Sequence, residues 1–320
     1  MIRFGILGTA RIARAFFRQQ LEGVEITAIA SRDIKKARAF ASEFSIRKAY
    51  GSYDALLADP EIEAVYIPLP QHLHAEYVIK SAKARKHVLL EKPAALNARE
   101  VRTMTASCRK HEVLYMEAFM YRFLRIHNHA KELVTSGAIG ELRHIDYHLC
   151  FNAWARGLEG FRMKRNEGGG AVYDLGIYAV DFLRFITGKE PKLVNAYMRR
   201  HKGKGIDIFT NAIYSIDKVV ATVTCGFHCD ANYYTLAGEL GAVHSPVALS
   251  GRPDQHSLWL HFHKDNSRRE EIFPAEVPFK YEIEYFARCI ERKEQPFLGA
   301  ENSLRNAMML DELFAKARPI

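Results

Sequence analysis

Asp174 and Tyr178 have the residue types and the spacing that proton-transfer chemistry requires. They lie four residues apart in a segment with helical periodicity, so both side chains project from one helix face. A phenol with an ordinary pKa of about 10 is a poor base at neutral pH, but a nearby ammonium group favours the phenolate. A tyrosine and a lysine together can therefore exchange the proton of a carbinol whose carbon gives up a hydride. On helix spacing alone, the alternative is an amphipathic core position for Tyr178.

A second informative stretch begins at Gly8, between the apolar run 2–7 and a predicted helix at 11–21. Glycine lets the chain turn sharply, small residues let a pyrophosphate approach the backbone, and a helix N-terminus stabilises its charge. The alternative is a small-residue turn in an ordinary βα unit. The predicted phosphate-binding turn comprises Gly8, Thr9, Ala10, Arg11 and Ile12.

The end of the second predicted strand, 24–30, carries Ser31 and Arg32, with Lys36 one helical turn beyond. A site for NAD usually has a carboxylate here, which binds the ribose 2′-hydroxyl and would repel a 2′-phosphate. A hydroxyl, a guanidinium and an ammonium group bind a phosphate instead. The sequence therefore predicts NADP(H), with NAD(H) as the alternative. In a second interpretation Asp33 is only a helix cap, and Arg32 and Lys36 face solvent.

Strand-length apolar runs alternate with helical patterns through the first third of the chain. Further strands are predicted at 64–67, 87–90 and 113–116. Helices are predicted at 73–84, from the capping box of Asn97 and Glu100, and after the second strand, where Ala37, Phe40, Ala41 and Phe44 recur at helical spacing. This alternation predicts a parallel sheet covered on both faces by helices.

After about residue 119 the predicted strands become longer, at 142–151, 193–198, 209–216 and 219–227. Asp217-Lys218 between the last two predicts a tight hairpin, so this sheet is at least partly antiparallel. A helix is predicted at 123–134 and stops at Gly137. Helices predicted at 172–186, 281–290 and 303–317 would cover one face of the sheet. The predicted fold class is α/β.

Composition excludes several classes of protein. A chain of 320 residues with 48% apolar residues is too long for a disulfide-stapled mini-protein and too apolar for a disordered one. The formal net charge is +9, but Lys and Arg are spread along the whole chain, which argues against nucleic acid as a partner. The five cysteines are widely separated and predict reduced thiols. With no membrane-length apolar run and no signal-peptide pattern, we expect a cytoplasmic protein.

Four motifs share their order and spacing with a known family. They are Pro-Leu-Pro-Gln-His-Leu-His at 68–74, Lys-His-Val-Leu-Leu-Glu-Lys-Pro at 86–93, Glu-Ala-Phe-Met-Tyr-Arg at 117–122 and Gly-Gly-Gly-Ala-Val-Tyr-Asp-Leu-Gly-Ile-Tyr at 168–178. In these motifs the chain resembles the Gfo/Idh/MocA family of nicotinamide-dependent oxidoreductases. The resemblance implies a doubly wound Rossmann domain, 1–118, and a substrate-binding α/β domain, 119–320. The second domain's large open, mostly antiparallel sheet would form a homodimer or homotetramer, and the last helix is free to pack back on the first domain.

The resemblance also implies site residues. It places Lys92 beside the nicotinamide and the substrate, and Asp174 and residue 178 on the substrate side. Most of the family has histidine at this position, where this chain has Tyr178. In having tyrosine here, the chain resembles the dimeric dihydrodiol dehydrogenases, NADP-dependent D-xylose dehydrogenases and some nucleotide-sugar 3-ketoreductases. Phe161-Arg162 resembles a Trp-Arg pair that touches the cofactor. The remaining predicted cofactor contacts are Leu69, Pro70, His72, His74, Glu91, Lys92 and Arg162.

These considerations give each residue of the site a role. We assign Tyr178 as proton donor and acceptor, Lys92 as its electrostatic partner and substrate-orienting group, and Asp174 as a positioning residue. Two alternatives remain for Lys92. It is itself the acid–base group, because burial of a lysine favours the neutral amine, or it is a surface lysine at a strand end.

Other features carry weaker signals. The pairs His72/His74 and His261/His263 have i, i+2 spacing, but zinc needs further ligands, so no metal is predicted. His72 and His74 are assigned instead to the cofactor crevice after the fourth strand. The basic run 199–204 is a solvated turn or, alternatively, a diphosphate contact. The glycines at 168–170 form either a flexible loop or a close approach to a ligand.

The sequence predicts an NADP-dependent dehydrogenase or reductase that transfers a hydride between nicotinamide and a carbinol or carbonyl carbon of a sugar, polyol or cyclic diol. The alternatives are a nucleotide-sugar 3-ketoreductase, an NAD-dependent glycoside hydrolase and a non-catalytic NAD(P)-sensing regulator. The Ser31-Arg32 turn argues against the hydrolase, and the presence of both Lys92 and Tyr178 argues against the regulator. No membrane or nucleic-acid partner is predicted.

Overall fold

The protein divides into two compact units, described here from a computed structural model of residues 1–249 and 256–320. The first unit comprises residues 1–120 and 277–307, and the second comprises 121–276 and 308–320. The sequence predicts a second domain from residue 119 to the end, with the last helix free to pack back on the first domain. In the structure the returning segment is longer, since it begins at Val277.

Eight α-helices are present in the described residues: α1 (Ile34–Glu43), α2 (Tyr53–Leu57), α3 (His74–Lys83), α4 (Ala98–Lys110), α5 (Arg125–Thr135), α6 (Ile177–Thr187), α7 (Pro278–Arg292) and α8 (Ala300–Lys316). The strands in the first part are β1 (Ile2–Leu7), β2 (Val24–Ala30), β3 (Lys48–Tyr50), β4 (Ala64–Ile67), β5 (His87–Glu91), β6 (Tyr115–Ala118) and β7 (Leu142–Cys150). They are followed by β8 (Lys192–Arg200), β9 (Asp207–Ile216), β10 (Val219–Gly226), β11 (Ala231–Gly238), β12 (Gly241–Ser245), β13 (Ser257–Phe262), β14 (Ser267–Ile272) and β15 (Arg318–Pro319).

The first unit is built on a six-stranded sheet in the order β3-β2-β1-β4-β5-β6, in which the paired neighbours run parallel. The central strands β1, β4 and β5 are almost wholly buried, as strands covered on both faces must be. This confirms the predicted doubly wound sheet. The short strand β3 and the short helix α2 were missed, because neither is long enough to show a clear period.

The predicted helix at 11–21 is wrong in both type and length. The segment forms a 3₁₀ helix from Arg11 to Phe17, and Ala10 offers no side-chain cap to its first turn. Aromatic packing fixes it instead, since the Phe16 ring lies 4.8 Å from that of Tyr66 and Phe17 stacks on Phe44 at 4.4 Å. Tertiary contacts therefore override the local helical pattern here.

The second unit contains a nine-stranded sheet in the order β14-β13-β12-β11-β7-β10-β9-β8-β15. Most neighbours are antiparallel, which confirms the expected mostly antiparallel sheet, while β10 runs parallel to β7 and β15 to β8. The hairpin between β9 and β10 turns at Asp217, whose φ is +51°, and Lys218, as predicted.

The two faces of this sheet differ. One face is buried, and its Tyr147 and Tyr234 rings pack 4.9 and 4.6 Å from Phe182 of α6. The other face carries the intermediate or exposed residues that alternate with the buried ones. Helices therefore cover one side of an open sheet. In the described residues, no helix has the length and apolarity that a membrane span requires.

The predicted helix at 172–186 is interrupted. Residues Val172–Gly176 form a single π-helical turn, and α6 follows directly at Ile177. Gly176 sits against β10, because a Cβ at this position would lie 3.2 Å from Cys225 Sγ. Asp174 thus belongs to the π turn, whereas Tyr178 belongs to α6. π-helical turns are frequent at functional sites.

Gly169 and Gly170 are required by close packing of the chain on itself. A Cβ at Gly169 would lie 2.5 Å from the carbonyl oxygen of Arg162. Gly170 has φ +125°, and a Cβ there would lie 2.0 Å from Oδ1 of Asp207, a buried carboxylate that accepts a hydrogen bond from Val172 N at 2.7 Å. The flexible-loop interpretation of these glycines is therefore wrong.

Candidate active site

The turn after β1 has the conformation that a phosphate-binding turn needs. Gly8 has φ +114°, its N–H donates to the carbonyl of Ala30 at 2.8 Å, and a Cβ on it would lie 3.1 Å from Leu69 Cδ2. Only glycine fits this position without strain. Arg11 and Ile12 are exposed, while Thr9 and Ala10 are half-buried, so the face of this turn is open to a ligand.

The end of β2 carries two exposed cations, Arg32 and Lys36, and the exposed Asp33. The Asp33 carboxylate caps α1 by accepting from Lys35 N at 2.9 Å, and the buried Ser31 hydroxyl accepts from Asp33 N at 3.2 Å. Asp33 is thus the helix cap of the alternative interpretation.

His74 joins the loops that follow β4 and β5. Its ring is buried, with Nε2 at 2.7 Å from the carbonyl oxygen of Leu69 and Nδ1 at 2.9 Å from that of Pro93. Burial lowers the pKa of His74 to about 4, so the neutral ring donates one of these two hydrogen bonds at pH 7. Both ring nitrogens of His74 therefore lie against loop carbonyls, so His74 holds the two loops together and has no nitrogen available for a ligand. By contrast His72 is half-buried, and its Nδ1 has no hydrogen-bond partner among the described residues.

Two carboxylates of the first unit, the half-buried Glu91 and the buried Glu117, accept hydrogen bonds at the carboxyl ends of β5 and β6. Glu91 accepts from the Tyr66 hydroxyl at 2.5 Å. Glu117 of β6 accepts from Ala94 N at 2.8 Å, which fixes the chain just after the cis peptide bond between Lys92 and Pro93. Lys92 itself is half-buried.

Glu282 of α7 is a further carboxyl group that the sequence analysis missed. It is fully buried, and neither of its carboxyl oxygens has a hydrogen-bond partner among the described residues. Burial first and the neighbouring Glu91 second raise the pKa of Glu282 well above its usual value. Glu282 is therefore a neutral acid next to a motif carboxylate.

In the second unit, Asp174 and Tyr178 have different environments. Asp174 Oδ2 accepts from Arg162 Nε at 3.0 Å, so the predicted cofactor residue Arg162 and the predicted positioning residue Asp174 form an ion pair. Tyr178 is 6% exposed, and its ring lies 6.0 Å from that of Tyr121 in an edge-to-face arrangement. A buried phenol beside another aromatic ring is held in one orientation.

A charged network lies one helical turn beyond Tyr178. Asp181 is fully buried, and its Oδ2 accepts from the Tyr121 hydroxyl at 2.5 Å and from Arg122 at 2.9 Å. Burial first and Asp181 second raise the pKa of Tyr121 well above its usual value, so this phenol stays protonated and donates. Sequence reasoning missed Asp181, although it is the one carboxylate in the otherwise mostly apolar segment Ile177–Thr187 and stands three residues after Tyr178.

In the described residues, no group of three His, Cys, Asp or Glu side chains is arranged to hold a metal ion. His261 instead faces Asn266 Oδ1 at 2.8 Å, and His263 faces the carbonyl of Glu239 at 3.2 Å. The basic run 199–204 forms the end of β8 and the turn after it, where His201 stacks on the exposed Trp154 at 6.0 Å.

Comparison with known protein families gives two matches. Residues 2–119 match the oxidoreductase family with an NAD-binding Rossmann fold named GFO_IDH_MocA, and residues 127–244 match the GFO/IDH/MocA C-terminal domain. The two ranges together cover most of the chain.

Individual relatives match over nearly the whole length. The chain is 35% identical to D-xylose 1-dehydrogenase (NADP(+)) 2 of Haloferax volcanii, over 98% of this chain and 97% of that protein. It is 37% identical to trans-1,2-dihydrobenzene-1,2-diol dehydrogenase of Mus musculus, over 97% of this chain and 95% of that protein. Among solved structures, KijD10, a 3-ketoreductase from Actinomadura kijaniata in complex with NADP and TDP-benzene, superposes with a TM-score of 0.90 at 29% identity, over 100% of this chain and 98% of that one.

Because Glu282 is neutral in the folded protein, we expect the Glu282→Gln substitution to increase stability, and to increase it more at higher pH. A carboxyl group whose folded pKa is raised holds a proton that the unfolded chain releases, so it lowers stability progressively as pH rises from its ordinary pKa towards its folded one. An amide has the same shape and no such cost. We expect the free energy of unfolding of E282Q, relative to wild type, to rise progressively as the pH is raised above the ordinary carboxyl pKa of about 4.3, measured by urea denaturation at a series of pH values.

Glu284→Gln is the matched control on the same helix. Glu284 is also buried, but it accepts from Glu22 N at 2.7 Å and lies 3.4 Å from Lys280 Nζ. Its amide variant loses an ion pair and should be less stable than wild type at neutral pH. A stability difference between E282Q and wild type that does not change with pH would contradict a neutral Glu282.

Proposed function

Because the chain belongs to the Gfo/Idh/MocA family of oxidoreductases, we propose that it is an NADP(H)-dependent dehydrogenase or reductase for a sugar, polyol or cyclic diol. The similarity along the whole chain to a relative named as an NADP(+)-linked D-xylose dehydrogenase carries this proposal. The similarity to a dihydrobenzene-diol dehydrogenase extends the substrate class to cyclic diols. In each case the reaction is hydride transfer at a carbon that bears a hydroxyl group.

The residues of the first unit fit a dinucleotide that carries a 2′-phosphate. The Gly8 turn lets a pyrophosphate approach the backbone, and the half-buried His72 has an Nδ1 atom without a hydrogen-bond partner among the described residues. At the end of β2, the exposed Arg32 and Lys36 supply positive charge, while the Asp33 carboxylate caps the N-terminus of α1. This charge pattern favours NADP over NAD.

The roles of the chain's own residues follow from this assignment. Bound NADP would supply the hydride acceptor or donor. Tyr178 takes the proton of the substrate hydroxyl at its phenol oxygen during oxidation and returns it during reduction. The Lys92 ammonium stabilises negative charge that develops on the substrate oxygen. Asp174 is a positioning residue, held by its ion pair with Arg162.

A nucleotide-linked sugar is the second candidate substrate, because the 3-ketoreductase structure is so similar. The stacked pair of Trp154 and His201 lies beside the basic run 199–204, so an exposed aromatic face and cations occur together in the second unit. This combination suits a nucleoside diphosphate. A substrate screen with aldoses, inositols and cyclic diols, repeated with thymidine diphosphate as inhibitor, separates the two candidates.

The open face of the nine-stranded sheet suits a second copy of this chain. Stacked rings cross four neighbouring strands on this face: His148 lies 4.5 Å from Tyr233, Tyr233 lies 5.7 Å from His244, and His244 lies 5.3 Å from Trp259. Trp259 is 49% exposed, and exposed aromatic stripes of this kind are typical of protein interfaces. We therefore propose that the chain forms a homodimer or homotetramer through this face. We also propose that the protein is cytoplasmic.

Removal of the phenol or of the ammonium group should abolish most of the turnover. We expect Tyr178→Phe and Lys92→Met each to lower kcat for NADP⁺ reduction by at least about 100-fold, because proton transfer and charge stabilisation are both lost. Cofactor affinity, measured by fluorescence titration with NADPH, should stay close to wild type. Tyr173→Phe, five residues earlier, and Lys83→Met, an exposed lysine of α3, are the controls. Near-normal turnover of either variant would overturn the role given to that residue.

Arg32→Ala should change cofactor preference. Loss of a guanidinium–phosphate contact is worth about 1.5–3 kcal/mol, so we expect KM for NADP⁺ to rise by about 10-fold or more, with KM for NAD⁺ unchanged. Arg38→Ala, an exposed position further along α1, is the control and should change neither constant. A wild-type preference for NAD⁺, or equal effects on both cofactors, would refute the proposed 2′-phosphate site.

The oligomeric state tests the proposed use of the open sheet face. We expect light scattering to give a mass of two or four chains for the wild type, and of one chain for Trp259→Asp, because a charge in the middle of a dry interface is costly. Circular dichroism should show that the variant is folded. A monomeric wild type would refute the interface.

A further inference from the structure

Two cysteines distant in sequence meet at the end of β7. Cys150 is the last residue of β7, and it is paired in register with Gly226, the last residue of β10, and with Ala231, the first residue of β11. Because β7 lies between β10 and β11, the connection 227–230 passes over the end of β7. Cys229 lies in this connection, two residues before the partner of Cys150.

The Cys229 side chain lies within hydrogen-bond reach of the Cys150 thiol. Residues alternate between the faces of a strand, so Cys150 shares the open face with Asp146 and His148. Burial first and the neighbouring Cys229 second raise the pKa of the Cys150 thiol to about 12. Cys225 points to the other face, since its Sγ lies against Gly176.

The exposure of the pair is unequal. Cys229 is exposed, whereas Cys150 is only 4% exposed beneath the connection. The connection is anchored around them, because Asp230 Oδ1 accepts from Asn152 N at 3.3 Å and from Arg156 at 2.6 Å. One accessible thiol next to one protected thiol is the arrangement of a reactive cysteine with its resolving partner.

We propose that Cys150 and Cys229 form an oxidation site that closes to an intramolecular disulfide in the presence of a peroxide. The Cys229 thiolate attacks one peroxide oxygen, the O–O bond breaks, and sulfenic acid and hydroxide are formed. The Cys150 sulfur then attacks the sulfenic sulfur, its proton goes to the leaving hydroxide, and water is released with formation of the S–S bond. In total, two thiols are oxidised and one peroxide is reduced to two waters.

The position of this site gives the oxidation a structural effect. The chain that leaves Cys150 continues through 151–161 to Arg162, whose guanidinium pairs with Asp174. A covalent bond at Cys150 adds to the hydrogen bonds that hold the start of this segment, from Phe151 N to Gly226 O at 3.0 Å and from Ala153 N to Phe227 O at 2.9 Å. The oxidation itself does not depend on the proposed catalytic function, because thiol content and peptide mapping detect the disulfide without any measurement of turnover.

The test is thiol counting and peptide mapping on the full-length protein after hydrogen peroxide treatment. We expect a mass decrease of about 2 Da, reversed by dithiothreitol, and a tryptic cross-link between the peptides of Cys150 and Cys229. Cys150→Ser and Cys229→Ser should each abolish the cross-link. Cys225→Ser, which removes a buried thiol on the opposite face of the adjacent strand, should leave it intact.

Several results would overturn the proposal. Among them are unchanged thiol content, oxidation of Cys229 only to sulfinic or sulfonic acid in the wild type, and a cross-link between two chains in non-reducing electrophoresis. In Cys150→Ser we expect Cys229 to overoxidise, since its partner is gone, and this outcome distinguishes a missing resolving thiol from a misfolded variant.

Discussion

Polar side chains buried beneath the loops after β4 and β5 hold these loops in place, and the proposed cofactor site is built on them. The His74 ring lies between the carbonyls of Leu69 and Pro93, and Glu117 accepts from the N–H of Ala94. Buried polar groups are costly to leave without partners, so such contacts are exchanged for water only at a large loss of stability. The edge of the parallel sheet is therefore preformed, with Lys92 fixed between two anchored neighbours.

In the second unit, too, a buried polar side chain is held in place by its hydrogen-bond partners. Asp181 is buried one helical turn after Tyr178 and is neutralised by Arg122 and by the hydroxyl of Tyr121. The Tyr121 ring also contacts Tyr178, so this network helps to hold the Tyr178 ring in one orientation. A phenol supported in this way loses little conformational freedom on binding a ligand.

The sequence predicted the features that depend on local pattern. Apolar runs located β1, β2 and β4 to the residue, and Asp217 with Lys218 located the hairpin of the second sheet. Features that depend on distant contacts were not predictable in this way. Glu282 and Asp207 look like ordinary surface carboxylates in the sequence, and only the fold buries them.

Two further differences have the same origin. The π turn at Val172–Gly176 has no local signal, because its residues would also fit an α-helix, and its place against β10 depends on Gly176. The return of residues 277–307 to the first unit follows from packing of α7 on β1, β2 and β5, strands that end more than 180 residues earlier in the chain. Periodicity indicates that α7 has an apolar face, but it does not indicate what that face covers.

This return has a consequence for biosynthesis. Ile283 and Phe286 of α7 are fully buried, and the Phe286 ring lies 6.4 Å from that of Phe4 in β1. During translation, β1 leaves the ribosome long before the helix that covers it, so apolar surface of the nascent parallel sheet stays unprotected until nearly the whole polypeptide has been made. The same order limits protein engineering, since a fragment cut after residue 120 would lack this cover and would have to be fused to residues 277–307 to remain soluble.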